Sequence, residues 1–469
     1  MPQNRKTVNN VKSTMTSREI CLEVIVSVLE KGEFYNAAVT RALADNRDLK
    51  PVDRAFIAAL TEGTVERAIE LDYIIDRFSS KKVEKLKANI RNILRMAVYQ
   101  IKYMDKVPDN AAVNEAVKLA VKKGFGGLRG FVNGVLRNIA RNIDDIQCPE
   151  AYIRYSMPKW IVNHLEKELG SDGMIRAMEY YLSKPELSIR PVDMNETDEL
   201  YKRLIEAEYE VHRGNILNYA LRIKNSGKVT DIPGYDKGLF FVQDESSMMP
   251  AHIVYEYLKS KGCETACNTN KLQVLDMCSA PGGKVLHLAA MLSGKAHFCA
   301  RDLSKTKTDK IRDNIRKAGY TGIEVSEKDA LVYYEEDAGQ YDVIIADLPC
   351  SGLGVIAKKP DIKYNIKKED LNTLADIQSK MLDNAAGYLR PNGIIVYSTC
   401  TINAAENQEN CRRFLEKHSE YKSVDVSAYI PEVLHGSVTE EGYLRIEPGK
   451  YETDGFFVAL FEKKKPEAE

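Results

Sequence analysis

Four short apolar runs in the second half of the chain are each bounded by turn residues: Gln273 to Met277, Ala296 to Ala300, Tyr341 to Ala346 and Gly393 to Tyr397. Runs so brief, largely apolar and bounded by turns read as strands of a buried sheet. The stretches between them are amphipathic at helical spacing, as from Asp370 to Leu389. That alternation predicts an α/β domain over 237–464, a parallel sheet with helices on both sides, binding ligands beyond the carboxyl ends of its strands. Gly455 to Glu462 is a β-rich run that adds a final antiparallel strand.

The N-terminal part has a different period. Leu22, Ile25, Val26 and Leu29, then Ile90, Ile93, Leu94, Ala97, Val98 and Ile101, recur at helical spacing, which predicts an all-α bundle over 16–143. Pro51 suits a first helical turn, and Pro108 separates two further helices. Between 147 and 236 a helical stretch from Trp160 to Leu169 gives way to short segments such as Leu187 to Arg190, punctuated by Pro185, Pro191, Pro233 and Gly234. This predicts a small α+β module. A chain of 469 residues is longer than one core usually organises, so a multi-domain fold is expected.

With 44% hydrophobic and 29% charged residues the composition is that of a soluble globular protein, and no apolar run approaches the ~20 residues that span a bilayer. A membrane role is excluded. Met1 to Met15 is polar, carries Arg5, Lys6 and Lys12, and lacks an apolar core, so a disordered tail and a cytoplasmic location are expected, not a signal peptide. Nine cysteines, an odd number, suit free thiols in a reducing compartment better than a disulfide framework. Cys263 and Cys267 are spaced like half a zinc site, but no second pair follows, and no metal is expected. The chain is expected to act as a monomer. A net charge of −1 confines any nucleic-acid contact to local patches. From Lys118 to Arg141 the chain carries Lys118, Lys122, Lys123, Arg129, Arg137 and Arg141 with no acid, interleaved with Gly124, Gly126, Gly127 and Gly130. Charge alone allows an RNA surface or a solvated helix face.

Val274-Leu-Asp-Met-Cys-Ser-Ala-Pro-Gly-Gly-Lys284 reads as a buried strand entering a glycine turn and a helix. Gly282 and Gly283 let the backbone pass close to a ligand and present amides at a helix N-terminus. Asp302, ending the next strand, can accept ribose hydroxyls, and Asp329, after the third, can accept an adenine amino group. The turn is not a polyphosphate loop, so an adenosine cofactor such as S-adenosylmethionine fits better than ATP. Asp347-Leu-Pro-Cys350 and Ser398-Thr-Cys400 each follow a central strand, so both thiols emerge at one sheet edge. Carbon 5 of cytosine is too poor a nucleophile to attack a methylsulfonium unless a thiolate first adds to carbon 6. One of the two cysteines would be that nucleophile, and Asp347 could meet N3 of the base.

These residues resemble the motifs of the RsmB/Sun branch of class I RNA cytosine-5 methyltransferases (the RsmB/NOP family): Asp276 to Lys284, Asp347-Leu-Pro-Cys-Ser-Gly-Leu-Gly-Val355, Pro360-Asp-Ile-Lys363, Ser398-Thr-Cys400 and Asp454-Gly-Phe-Phe457. The helical region is similar to the RNA-binding antitermination factor NusB, notably at Pro108 to Val117 and Gly130 to Arg137. The resemblance covers Thr16 to Asn142 and Gly238 to Glu462 well. It implies that Cys400 is the nucleophile and that Cys350 assists product release. It places S-adenosylmethionine against Cys278, Ser279, Ala280, Pro281, Gly282, Gly283 and Lys284, with Asp302 at its ribose, Asp329 at its adenine and Asp347 at the cleft floor. The implied substrate is a cytosine of small-subunit ribosomal RNA, held in part by Lys122, Lys123, Arg129 and Arg137.

The chain departs from the family at Ser279, where Ala is common, at Val285, where Thr is common, and at Arg190-Pro-Val192, where an Arg-Val-Asn signature is usual. Three other readings are open to a chain of this kind. The same chemistry could act on transfer RNA. A DNA cytosine methyltransferase would reverse the cysteine roles, but the chain lacks the Glu-Asn-Val element of those enzymes. A non-enzymatic antitermination or assembly factor would have no need of Cys350, Cys400 and the cofactor acids.

Overall fold

A computed structural model describes residues 15–262 and 271–465. The expected N-terminal tail, apart from Met15, lies outside the described residues, as do Cys263 and Cys267. The chain forms two compact units, Met1–Lys159 with Lys359–Asn365, and Trp160–Lys358 with Ile366–Glu469.

The first unit is helical: α1 (Ser17–Lys31), α2 (Tyr35–Asp45), α3 (Pro51–Glu66), α4 (Ala68–Phe78), α5 (Ala88–Tyr103), α6 (Asp109–Lys122), α7 (Arg129–Asn142) and the short α8 (Ala151–Arg154). Thr16 starts α1 with a capping box: its hydroxyl accepts from the Glu19 amide, and the Glu19 carboxylate accepts from the Thr16 amide at 2.8 Å. Pro51 occupies the first turn of α3, where its missing N–H costs nothing. The apolar stripes meet in one core that includes Ile25, Ile57, Leu71, Ile90, Leu94, Val98 and Leu136. Arg95 is buried there and forks onto Asp72 at 2.7 and 2.6 Å, which compensates its lost hydration.

The second unit begins with α9 (Lys159–Tyr181), interrupted at Gly170, and continues through β1 (Leu187–Pro191), α10 (Thr197–Glu206), β2 (Glu210–Arg213), β3 (Leu221–Lys224) and β4 (Phe240–Val242). The four strands form an antiparallel sheet in the order β2-β3-β1-β4. Leu200 and Leu204 of α10 pack on Val211, Leu221 and Ile223. This region does not stand apart as a third compact unit. Buried polar links tie it to distant parts of its own unit: Tyr181 to the Leu353 carbonyl, Tyr180 to Asp454 at 3.2 Å, and Glu245 to the amides of Ile216 and Leu217 at 2.8 Å each.

The rest comprises α11 (Glu245–Ser260), β5 (Leu272–Asp276), α12 (Gly283–Leu292), β6 (Ala296–Asp302), α13 (Lys305–Lys317), β7 (Ile323–Glu327), β8 (Tyr341–Asp347), α14 (Ile362–Asn365), α15 (Asp370–Tyr388), β9 (Leu389–Thr399), α16 (Gln408–Lys417), β10 (Tyr421–Val424), β11 (Leu444–Ile446) and β12 (Phe456–Lys463). The sheet runs β10-β12-β9-β8-β5-β6-β7, with β11 on β12. Strands β5 to β9 pair in parallel, and β12 inserts antiparallel to β9. Val274, Val343, Ile345 and Val396 enter one core while Leu275, Ile344, Ile395 and Tyr397 enter the other, which is why these strands read as continuous apolar runs. Strand order reverses between β5 and β8, and the crevice beyond their carboxyl ends is where such sheets bind ligands.

One segment of this half, Lys359–Asn365 with α14, belongs to the helical unit. Lys363 Nζ donates to the Glu66 carbonyl at 2.6 Å, and Tyr364 Oη to the Val65 carbonyl at 2.8 Å. Burial, which outweighs the charge of nearby Glu66, pushes the Lys363 amine down to about 7.

Candidate active site

Beyond β5 the backbone turns through Cys278 to Gly282, with the Ala280–Pro281 peptide cis and Gly282 at φ +103°. Ser279 N donates to the Arg301 carbonyl at 2.8 Å, pinning the turn against β6. The first amides of α12 therefore open at the reversal of strand order, a place suited to negative or electron-rich ligand groups. Asp302, at the end of β6, is buried and receives the Ala280 and Leu303 amides at 2.9 and 2.8 Å and Lys307 Nζ at 2.9 Å. Asp329 accepts from Leu331 N at 2.9 Å and lines a shallow cleft with Met277, Ala330 and Tyr334.

Three buried atoms here lack a well-formed hydrogen bond among the described residues: both carboxylate oxygens of Asp276, and Ser279 Oγ beside them. Burial, then the charge of Asp347, pushes the Asp276 carboxyl up to about 7. A buried carboxylate facing a glycine turn suits a ligand that brings positive charge, as the sulfonium and ammonium of S-adenosylmethionine do. The residues present fit that cofactor: Cys278 to Gly283 would run along it, and Asp302 and Asp329 would face its nucleoside end.

The parallel register of β8 and β9 places Asp347 opposite Ser398. Ser398 Oγ donates to Asp347 Oδ1 at 2.7 Å, and Lys284 Nζ pairs with Asp347 Oδ2 at 2.6 Å. Lys284 thus turns from the glycine turn to the end of β8. Burial works to lower its affinity for a proton, but the charge and hydrogen bond of Asp347, with Asp276 and Cys400, hold the ammonium above its ordinary range. Past these strand ends, Cys350 Sγ and Cys400 Sγ lie 3.2 Å apart. The Cys350 thiol is held well above the ordinary range, first by its hydrogen bond with Cys400, then by burial and by the charges of Cys400 and Glu406. The two thiols that sequence places at one sheet edge are in direct contact.

Close packing fixes the loop after Cys350. Gly354 N donates to the Cys400 carbonyl at 3.0 Å, and Gly455 N to the Gly354 carbonyl at 2.9 Å. Lys358 pairs with Asp454 at 2.8 Å and also with Asp244. Burial, then the Asp244 charge, pushes Asp454 up to about 6.

Sequence reasoning did not find the buried carboxylate of Glu406. It accepts from Ser351 N at 2.9 Å, Ser351 Oγ at 2.5 Å, Gln378 Nε2 at 2.9 Å and Asn403 Nδ2 at 3.1 Å. Next to it, Asn407 accepts from Thr399 Oγ1 at 2.6 Å and donates to the Thr401 carbonyl at 3.0 Å, gripping the chain on either side of Cys400. An acid and an amide six and seven residues beyond Cys400 were the available signal.

Arg190 is fully buried, with Nε on Gln243 Oε1 at 2.9 Å, so it braces β1 and is no surface for RNA. In the basic segment Lys122, Arg129 and Arg137 are exposed and Lys123 is half-buried; Lys122 pairs with Glu19 at 2.7 Å and Lys123 with Glu23 at 3.4 Å, and Arg137 Nε donates to Asn133 Oδ1 at 3.1 Å.

An eight-stranded mixed sheet with a glycine turn and buried acids at its strand reversal, and two thiols in contact past the neighbouring strand ends, is the architecture of an S-adenosylmethionine-dependent methyltransferase. Residues 266–462 match the model of the 16S rRNA methyltransferase RsmB/F family, and residues 15–141 that of the NusB family. The chain is 33% identical to a probable ribosomal RNA small subunit methyltransferase B of Bacillus subtilis, over 95% of this chain and 98% of that one. It is 30% identical to the protein of the same description from Synechocystis, over 96% and 100%. The chain belongs to the RsmB/F methyltransferase family. Its fold is that of the solved protein PH0851, at a TM-score of 0.75 and 23% identity over 96% of this chain and 99% of that one. NSun6 from Pyrococcus horikoshii, solved with SFG, gives 0.55 and 20% identity over 66% and 99%.

Proposed function

We propose that this enzyme methylates carbon 5 of a cytosine in small-subunit ribosomal RNA through a covalent bond between Cys400 Sγ and carbon 6. The contact of Cys350 with Cys400, beside the Lys284–Asp347 pair, carries this reading. Addition of the Cys400 thiolate to carbon 6 forms the Sγ–C6 bond and moves the C5–C6 π pair into the ring, making carbon 5 nucleophilic. Asp347 and Lys284 stand by to meet the N3 edge, where charge develops. S-adenosylmethionine, when bound, supplies the methyl group. Loss of the C5 proton to a base then restores the C5–C6 double bond as the Sγ–C6 bond breaks, and Cys350 donates a hydrogen bond to the departing sulfur. Relatives named ribosomal RNA small subunit methyltransferase B support the substrate class. The helical unit, acting within a monomer, holds the RNA through Lys122, Lys123, Arg129 and Arg137.

The test is the Cys350→Ala variant. It should accumulate a protein–RNA complex that survives denaturing electrophoresis, requires S-adenosylmethionine, and is absent from the Cys350→Ala, Cys400→Ala double variant. No cofactor-dependent shift, from an enzyme whose wild type turns over the same RNA, would overturn this division of roles. Bisulfite mapping of ribosomal RNA from a deletion strain locates the target base.

A further inference from the structure

Two thiols in contact raise a question that the proposed chemistry leaves open: which of them carries the proton. A pair 3.2 Å apart holds one proton far more readily than it loses both, because two adjacent thiolates repel. Addition requires the charge on Cys400. A symmetric pair would place it there only half the time.

The surroundings are not symmetric. Glu406 is buried, and four hydrogen-bond donors converge on its oxygens, which fills the acceptor sites of a carboxylate. Two of those donors are the amide and hydroxyl of Ser351, the residue after Cys350, so its negative charge is anchored to the Cys350 loop. Its backbone is fixed as well, since Tyr397 Oη donates to the Glu406 carbonyl. Gln378 completes the frame by donating to the Pro349 carbonyl at 2.9 Å, on the other side of Cys350. The positive charge of Lys284 acts instead on Cys400, and it is pinned to Asp347.

We propose that Glu406 is a positioning residue that confines the shared proton to Cys350 and, with Lys284 opposite, leaves Cys400 as the thiolate. Among the described residues, Lys284 on α12, Tyr397 on β9 and Glu406 before α16 act on the pair, and Asp276 on β5 and Asp347 on β8 flank Lys284. Of these, Glu406 and Lys284 act with opposite sign on different members of the pair. In the resting pair Cys350 Sγ–H donates to the Cys400 thiolate. During addition the lone pair of that thiolate forms the Sγ–C6 bond while the proton stays on Cys350. The same proton is then in place to hydrogen-bond the sulfur as the Sγ–C6 bond breaks and its electron pair returns to Cys400. One fixed proton thus serves attack and release without being transferred between turnovers. This deepens the cysteine chemistry proposed above and rests on it.

The experiment is site-resolved labelling of the full-length protein by iodoacetamide at low conversion, followed by peptide mass spectrometry across pH 5 to 10. Alkylation rate follows thiolate fraction. In the wild type, Cys400 should label with the lower pH midpoint and at neutral pH on the order of tenfold faster than Cys350. Glu406→Gln should raise Cys350 labelling several-fold and narrow that ratio. Ser351→Ala, which keeps the charge, should leave the order of midpoints unchanged. If Glu406→Gln does not fold, Glu406→Asp replaces it: retracting the charge by one methylene should narrow the ratio part of the way. A Cys350 midpoint at or below that of Cys400 in the wild type, or an unchanged ratio in either folded Glu406 variant, overturns the proposal. Failure of the underlying reading shows separately, as absence of the Cys350→Ala adduct.

Discussion

Gly354 lies directly against Cys400, its amide donating to the Cys400 carbonyl at 3.0 Å. A Cβ at this position would fall 2.1 Å from the Gly455 carbonyl oxygen and 2.9 Å from that of Cys400, and both are backbone atoms that no rotamer change can move. Gly354→Ala should therefore push apart the loops that carry Cys350 and Cys400. We expect a loss of about 1–3 kcal/mol in stability, seen as a lower Tm, together with a fall in methyl transfer larger than the stability loss explains. A variant with wild-type Tm and turnover would show that the loops accommodate the methyl group.

Asp302→Ala removes the carboxylate that we propose meets the nucleoside end of the cofactor. Affinity for S-adenosylmethionine should fall by about 1–3 kcal/mol, the worth of a charge-assisted hydrogen bond. Calorimetric titration measures it. Because Asp302 also receives the Ala280 amide at 2.9 Å, part of the loss reflects a looser turn, and Asp302→Asn should retain more affinity than alanine. Unchanged binding in both would remove Asp302 from the site.

Asp276 gives the cofactor site a pH dependence of defined sign. Its carboxyl is raised by burial from 3.8 to about 7 in the folded protein without cofactor. A raised carboxyl contributes stability that is present in full below about 4 and is lost as pH rises through about 7, so the cofactor-free protein should lose stability from pH 5 to pH 8 through this group. Affinity for the positively charged cofactor should move oppositely, rising through pH 7 to a plateau as the carboxylate forms. Asp276→Asn should flatten both trends. A wild-type affinity independent of pH between 6 and 8 would sink this account.

The basic segment makes a graded prediction about RNA. Lys122 and Lys123 are already paired with Glu19 and Glu23, whereas Arg137 donates to the Asn133 amide oxygen and Arg129 is exposed. Neutralising the two arginines should flatten the salt dependence of RNA affinity more than neutralising the two lysines, with about 0.7–0.9 of a slope unit for each RNA phosphate that no longer meets a positive charge. Equal and negligible changes for both pairs would mark the segment as a solvated face.

Sequence made the strand ends legible because burial on both faces writes itself as a continuous apolar run, and parallel pairing then carries residues such as Asp347 and Ser398 to one edge. Cys350 and Cys400 followed from the same logic. Glu406 did not, because a buried acid is recognisable only by donors far away in the chain, here Gln378 and Ser351. Lys284 was read as part of the glycine turn, yet its ion pair with Asp347 spans 63 positions. The basic stretch hides its partners in the same way: Lys122 and Lys123 pair with acids on α1, about a hundred residues earlier. The links of Tyr180 and Tyr181 to Asp454 and Leu353 were equally hidden, because they join positions far apart in the chain.

The placement of Lys359–Asn365 within the helical unit means that neither unit is a continuous stretch of polypeptide. Cutting the chain once, near residue 160, would leave Lys363 and Tyr364 without the Glu66 and Val65 carbonyls that receive them. A fragment starting there would carry a polar, half-stranded excursion nine residues downstream of Cys350. Exchange of the helical unit between relatives by recombination would need compatible sequence at two separate places. The two parts are thus bound to change together, and a graft made at the N-terminal boundary alone should fold less well than either parent.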